Sequence, residues 1–136
     1  MWWPGDSTTW REAHNSPGAT STGTAWVIAS GEDGGTSNAE TYVLIANTAL
    51  NEASVHVTLL LEDGGTATRA YVVPAQSRWN VAMRLDFPEA VGRRFGVMVE
   101  SVGPNAAPVV VESAVYSDAG GAVWEAGANA LATKIR

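Results

Sequence analysis

Few side chains in this sequence can do proton or nucleophile chemistry. Cysteine is absent, and there are two histidines, His14 and His56. That removes thiol nucleophiles, disulfides and thiolate zinc sites, and leaves little for a Ser-His-Asp arrangement. His56 falls on the polar side of an alternating run, Ser54 to Glu62, where a solvated imidazole is expected. His14 lies in an N-terminal segment with three tryptophans, and neither histidine is followed by a motif that activates a nucleophile. Among the carboxylates, Glu100 and Glu112 sit in late strand-like segments and are candidates to share a face. A glycosidase needs such a pair at a set separation across an aromatic-lined cleft. Glu112, inside Val109-Val110-Val111-Glu112-Ser113, is expected to need a cationic partner, Arg78, Arg93 or Arg94, because an ionised carboxylate among apolar neighbours is costly alone. Glu32, Asp33, Asn38 and Glu40 gather oxygens of the kind calcium takes. The Asp-rich alternation of an EF-hand is missing, so a solvated acidic turn is the default. The glycine-rich turns carry neither a phosphate-loop nor a dinucleotide fingerprint. No catalytic, cofactor or metal residue is assigned, and the chain reads as a non-enzyme.

The composition points the same way. Of 136 residues, 46% are hydrophobic and 16% charged, against about 25% charged in an average soluble domain. Such a chain can bury a core in one domain without disulfides or metal. Net charge is -6, and Lys134 is the only lysine beside seven arginines. A basic face for phosphates is missing, which argues against nucleic acid as a partner. No apolar run approaches bilayer length, so membrane insertion is not expected. Met1-Trp2-Trp3-Pro4 lacks the basic and apolar regions of a secretory leader. Abundant small residues and Thr, scarce Lys and an acidic balance favour a mature or internal piece of an exported protein over a cytoplasmic one.

The elements that must position these side chains are strands. Period-2 alternation and β-branched content predict strands at Thr24 to Ile28, Thr41 to Thr48, Ser54 to Glu62, Thr66 to Val73, Arg78 to Met83, Phe95 to Glu100, Pro108 to Tyr116 and Ala122 to Ala128. Glu62-Asp63-Gly64-Gly65 predicts a hairpin turn with positive φ at Gly64 or Gly65. Pro74 ends a strand or marks an edge. Asp86-Phe87-Pro88-Glu89 predicts one helical turn opened by a capping box and stopped by Gly92. Val57, Leu59, Tyr71, Trp79, Val97, Val111 and Val115 are the predicted core, with Trp26 and Trp124 also in core positions. About eight short strands with regular turns specify an all-β fold, an antiparallel β-sandwich of immunoglobulin-like type with an extra N-terminal hairpin or strand segment.

That N-terminal segment echoes the C-terminus. Trp10-Arg11-Glu12-Ala13-His14-Asn15 parallels Trp124-Glu125-Ala126-Gly127-Ala128-Asn129, and Met1-Trp2-Trp3 falls opposite Ala114-Val115-Tyr116. Residues 1–18 therefore read as the closing hairpin of a preceding copy plus a small polar linker, and residues 19–136 as the sandwich. Thr41 to Asn47, Val55 to Gly65, Tyr71 to Arg78 and Pro108 to Tyr116, with Trp26 near the start and Trp124 to Asn129 at the close, resemble an uncharacterised immunoglobulin-like β-sandwich repeat. That repeat occurs in large exported or surface proteins of acidobacteria and actinobacteria. The resemblance spans nearly the whole chain and implies an extracellular or bacterial cell-surface module; it carries no activity. The expectation is a non-enzymatic structural module that self-assembles, as a filament or surface array, through its N-terminal segment. Trp2, Trp3, Trp10 and His14 would form the interface, and a second copy or a neighbouring repeat would be the partner. The alternative is an adhesion or carbohydrate-binding module using exposed Trp, Tyr42 or Tyr71, with polysaccharide as partner.

Overall fold

The computed structural model describes residues 2–3, 12–119 and 122–136. In chain order the strands are β1 (Trp2–Trp3), β2 (Glu12–Ala13), β3 (Ala25–Glu32), β4 (Glu40–Asn47), β5 (Ala53–Leu61), β6 (Thr66–Val73), β7 (Ser77–Ala82), β8 (Arg94–Ser101), β9 (Val109–Ala119), β10 (Ala122–Leu131) and β11 (Thr133–Lys134). A helical turn, α1 (Met83–Asp86), and a 3-10 turn at Pro88–Ala90 lie between β7 and β8. The strands form a front sheet ordered β10-β9-β4-β7, a back sheet ordered β11-β3-β8-β5-β6, and the separate pair β1-β2. The ladders are antiparallel.

Alternation decides what lies between the sheets. Val43 and Ile45 of β4 and Val109 and Val111 of β9 face Val55, Val57 and Leu59 of β5 and Val97 and Val99 of β8, and all are buried. The antiparallel β-sandwich read from the sequence is the fold that forms. β4 pairs with β7 and β5 with β8, as the B–E and C–F strands do in immunoglobulin domains. The flanks are exchanged relative to that arrangement. β9, late in the chain, lies beside β4, and β3, the first strand of the sandwich, lies beside β8. Trp26 fastens the two sheets: its buried indole N–H reaches the carbonyls of Gly23 at 3.2 Å and Val109 at 3.1 Å.

The predicted turn at Glu62 to Gly65 closes β5 onto β6. Leu61 N–H donates to Gly65 O, Gly64 N–H donates to Leu61 O, and Gly64 has φ of 85°. Two expectations are corrected. Trp79 stands in register with Ile45, on the inner side of the front sheet, yet it is 43% exposed because β7 is an edge strand. Tyr71, on the facing edge strand β6, is half-buried beside it, with the ring planes tilted by 45°. Val115, like Tyr71, is half-buried. The capping box does not form. The helix has already begun at Met83, so the Asp86 carboxylate accepts from the Ala82 N–H at 2.8 Å, and Glu89 pairs with Arg69 instead. The side chain of Trp124 lies outside the described residues. Among those residues no helix is long and apolar enough to cross a membrane.

Candidate functional site

The β9–β10 hairpin presents an outer face that is covered. Tyr116 and Ala114 pair with Glu40 and Tyr42 of β4, whose inward neighbours are Thr41 and Val43, so Tyr116 and Ala114 point away from the core. Their partners on β10, Gly127 and Asn129, share that outer face. Tyr116 is nevertheless only 7% exposed. Its ring meets Tyr42 edge-on at 5.9 Å and the His14 imidazole at 6.1 Å. A Cβ at Gly127 would stand 2.9 Å from His14 Cε1 and 3.1 Å from Tyr116 Cδ1, so the histidine rests on a backbone that only glycine leaves open. One turn of chain further on, Asn129 Nδ2 donates to Ser16 Oγ at 2.8 Å. Burial raises the Tyr116 phenol above its ordinary value, and the Arg78 guanidinium pulls it part of the way back.

The segment that supplies His14 and Ser16 follows a two-stranded pair of its own. In the N-terminal pair, Trp2 is opposite Ala13 and Trp3 opposite Glu12; in the closing hairpin, Tyr116 is opposite Gly127 and Ser117 opposite Ala126. β2 lies against β10. Of the four expected interface residues, His14 is on this seat. Trp2 and Trp3 are described only by their pairing, and Trp10 lies outside the described residues.

The acidic loop between β3 and β4 is organised around Arg84, which sequence reading missed. Its Nε donates to Asp33 Oδ1 at 2.9 Å, its Nη1 to Glu40 Oε1 at 3.4 Å, and its Nη2 to Asn38 Oδ1 at 2.9 Å and Ala39 O at 3.2 Å. Asp33 is fully buried. A guanidinium thus occupies the centre of the oxygens considered for calcium, and Glu32 turns away to Arg94 at 3.7 Å. Among the described residues no group of three or more His, Asp or Glu side chains is disposed to hold a metal ion. The Asp33 hydrogen bond holds the Arg84 proton more firmly than usual. Beside it, a groove of about 210 Å³ is lined by Thr41, Tyr42, Met83 and Leu85. The Tyr42 hydroxyl donates to Glu40 Oε2 at 2.8 Å, and its pKa is pushed up to about 12, first by burial and then by that carboxylate.

The remaining candidates are dispersed. Glu112 is on the outer face of the front sheet, in register with Leu44, and Glu100 is on the outer face of the back sheet, in register with His56. The two carboxylates therefore face opposite ways and do not share a cleft. Glu100 approaches Arg136 at 3.6 Å. Glu112 and Arg78 line one groove of about 230 Å³ without an ion pair between them. Arg93 pairs with Asp63 and Arg94 with Glu32, so neither serves Glu112. His56 is exposed. Asn47, unmarked in the sequence reading, is a buried and fully used polar group. Its Nδ2 donates to the carbonyls of Asn51, Val73 and Pro74, and its Oδ1 accepts from the Ala49 N–H.

A two-sheet antiparallel sandwich with its β9–β10 hairpin covered on the outer face is the class of protein these observations define. No family model matches the chain, and no curated protein matches it. Solved structures do. A crystal structure of Thermotoga maritima 1070 superposes with a TM-score of 0.69 at 15% identity, over 84% of this chain and 96% of that one. The Anabaena sensory rhodopsin transducer gives a TM-score of 0.57 at 23% identity, over 71% of this chain and 91% of that one. At these identities the likeness is one of fold.

Proposed function

We propose that this chain is a non-catalytic structural module of an exported or surface protein, and that its N-terminal segment is an assembly contact. The observation that carries the reading is the covered hairpin: the N-terminal strand pair leads into His14 and Ser16, which rest on β9–β10. A lone two-stranded hairpin is marginal in water, so an element of this kind persists by packing on something. The resemblance of the strand segments to repeat modules of exported proteins supports the same reading. The partner under this reading is a second copy or a neighbouring repeat.

Deletion of residues 1–16 tests it. Light scattering and electron microscopy of the full chain should show concentration-dependent assembly, and the truncated chain should remain monomeric. The Tyr116 phenol, uncovered by the deletion, should titrate closer to its ordinary value. A full chain that is monomeric at high concentration, or a truncated chain that assembles equally well, overturns the proposal.

A further inference from the structure

We infer that the groove beside Arg84 binds a primary ammonium carried on a short alkyl chain, with the Asp33 carboxylate as its anchor. Ala82, Met83 and Leu85 give this groove apolar surface, and Asp33 and Glu40 bring carboxylates to it. Three of the four carboxylate oxygens already have donors. Asp33 Oδ1 accepts from Arg84 Nε at 2.9 Å, Glu40 Oε1 from Arg84 Nη1 at 3.4 Å, and Glu40 Oε2 from the Tyr42 hydroxyl at 2.8 Å. The fourth, Asp33 Oδ2, is buried, and among the described residues no group donates to it. A buried carboxylate oxygen without a donor costs free energy that an incoming N–H recovers.

Charge selects a cation as the source of that N–H. Asp33 and Glu40 bring two negative charges against the single guanidinium of Arg84, in a chain of net charge -6. A calcium ion does not suit the place, because it takes about six to eight oxygens and one carboxylate oxygen is open. An ammonium needs acceptors only, and its bond to a carboxylate is charge-assisted. Met83 and Leu85 favour an alkyl chain behind the ammonium, and a groove of about 210 Å³ has room for a short one. Leu85 is 79% exposed, so the groove reaches solvent at that residue. The chain's one lysine, Lys134, is engaged elsewhere, at Ser21 Oγ at 2.6 Å. Two sources carry the required chemistry: a free alkylamine, and a lysine side chain of another polypeptide, whose end is a butylammonium.

Binding here needs no second copy, so it is tested on the full chain at a concentration where light scattering reports monomer. Butylammonium chloride is titrated at neutral pH and followed by amide chemical shifts. Saturable shifts should appear at Asp33, Tyr42, Arg84 and Leu85, with a Kd on the order of 10 mM or tighter. Affinity should rise about threefold per methylene from methylammonium to butylammonium as the chain covers apolar surface. Tetramethylammonium, of the same charge but without N–H, should bind at least about tenfold more weakly, and Asp33→Asn should weaken butylammonium by a similar factor. Asp33 is buried, so a second variant guards against loss of the fold. Leu85→Arg, on an exposed residue, places a cation at the groove and should weaken binding at least about fivefold. Leu50→Arg, exposed at the opposite end of β4, is the control for net charge and should change nothing. Nα-acetyl-lysine methylamide separates the sources: affinity equal to that of butylammonium points to a lysine side chain, and exclusion points to a free amine. If butylammonium gives no saturable shift, Oδ2 takes its hydrogen bond from water and the inference is overturned. Equal binding of tetramethylammonium, or equal weakening by the two arginine variants, overturns it as well.

Discussion

In the loop joining β3 to β4, one guanidinium reaches one oxygen of a buried carboxylate, a second carboxylate, an amide oxygen and a backbone carbonyl. Asp33 is fully buried, whereas the Arg84 side chain is one-third exposed. Removing the arginine leaves a desolvated charge with no counter-ion. Arg84→Met should therefore cost about 3 kcal/mol, read as a lower denaturant midpoint at unchanged m value. Arg84→Lys keeps the charge and loses the planar fork, so its loss should be intermediate. A cost below about 1 kcal/mol for Arg84→Met would show that Asp33 is held by other groups. Three of these oxygens, on Asp33, Asn38 and Glu40, were legible in the sequence as a cluster. Their cation was not, because it stands 51 residues beyond Asp33 and only the pairing of β4 with β7 brings it near. Gly127 was likewise unremarkable until His14 was seen resting on it.

Elements differ in how firmly they hold an aromatic side chain. Trp79 on the edge strand β7 is 43% exposed, while Phe87, between α1 and the 3-10 turn, is fully buried and has the Arg69 guanidinium 4.9 Å from its ring centroid. Large-to-small changes in a core cost roughly 3 to 5 kcal/mol. Phe87→Ala should fall in that range, and Trp79→Ala should cost about half as much or less; equilibrium denaturation of both variants checks the ordering. Equal costs would mean that the edge is as well packed as the centre. The strands were legible because alternation is a local signal. β6 has the predicted bounds, and β4, β5, β7 and β8 differ from theirs by one residue at each end. The inward side of Trp79 was legible too. Its exposure was not, because being last in a sheet is a property of the sheet order and not of the strand. The two-residue β11 is too short to alternate. For the site, an N-terminal hairpin was legible in the sequence, but not the outer face on which His14 and Ser16 lie.

At the scale of the molecule, two phenols tie stability to alkaline pH. Tyr42 and Tyr71 both titrate at about 12 in the folded protein, chiefly through burial, then through Glu40 and Asp86 respectively, against about 10 for a free phenol. The fold favours the neutral form, so this contribution is fully present below pH 10 and is lost as pH rises through 12. Absorbance titration should show these phenols ionising later in the folded than in the denatured protein, with stability falling across that window. Coincident titration of the two states would remove the effect. The exchange of flanking strands has a consequence during synthesis. β4 finds β7 soon after it is made, but its other edge waits for β9, and β3 waits for β8. At about 5 to 20 residues per second, Val109 follows Asn47 out of the ribosome after roughly 3 to 12 s. Throughout that interval β4 carries an unpaired edge, and adjacent ribosomes on one message hold identical edges close together. The nascent chain is therefore most prone to pairing with its own kind before β9 emerges, and slow translation between β4 and β9 lengthens that exposure.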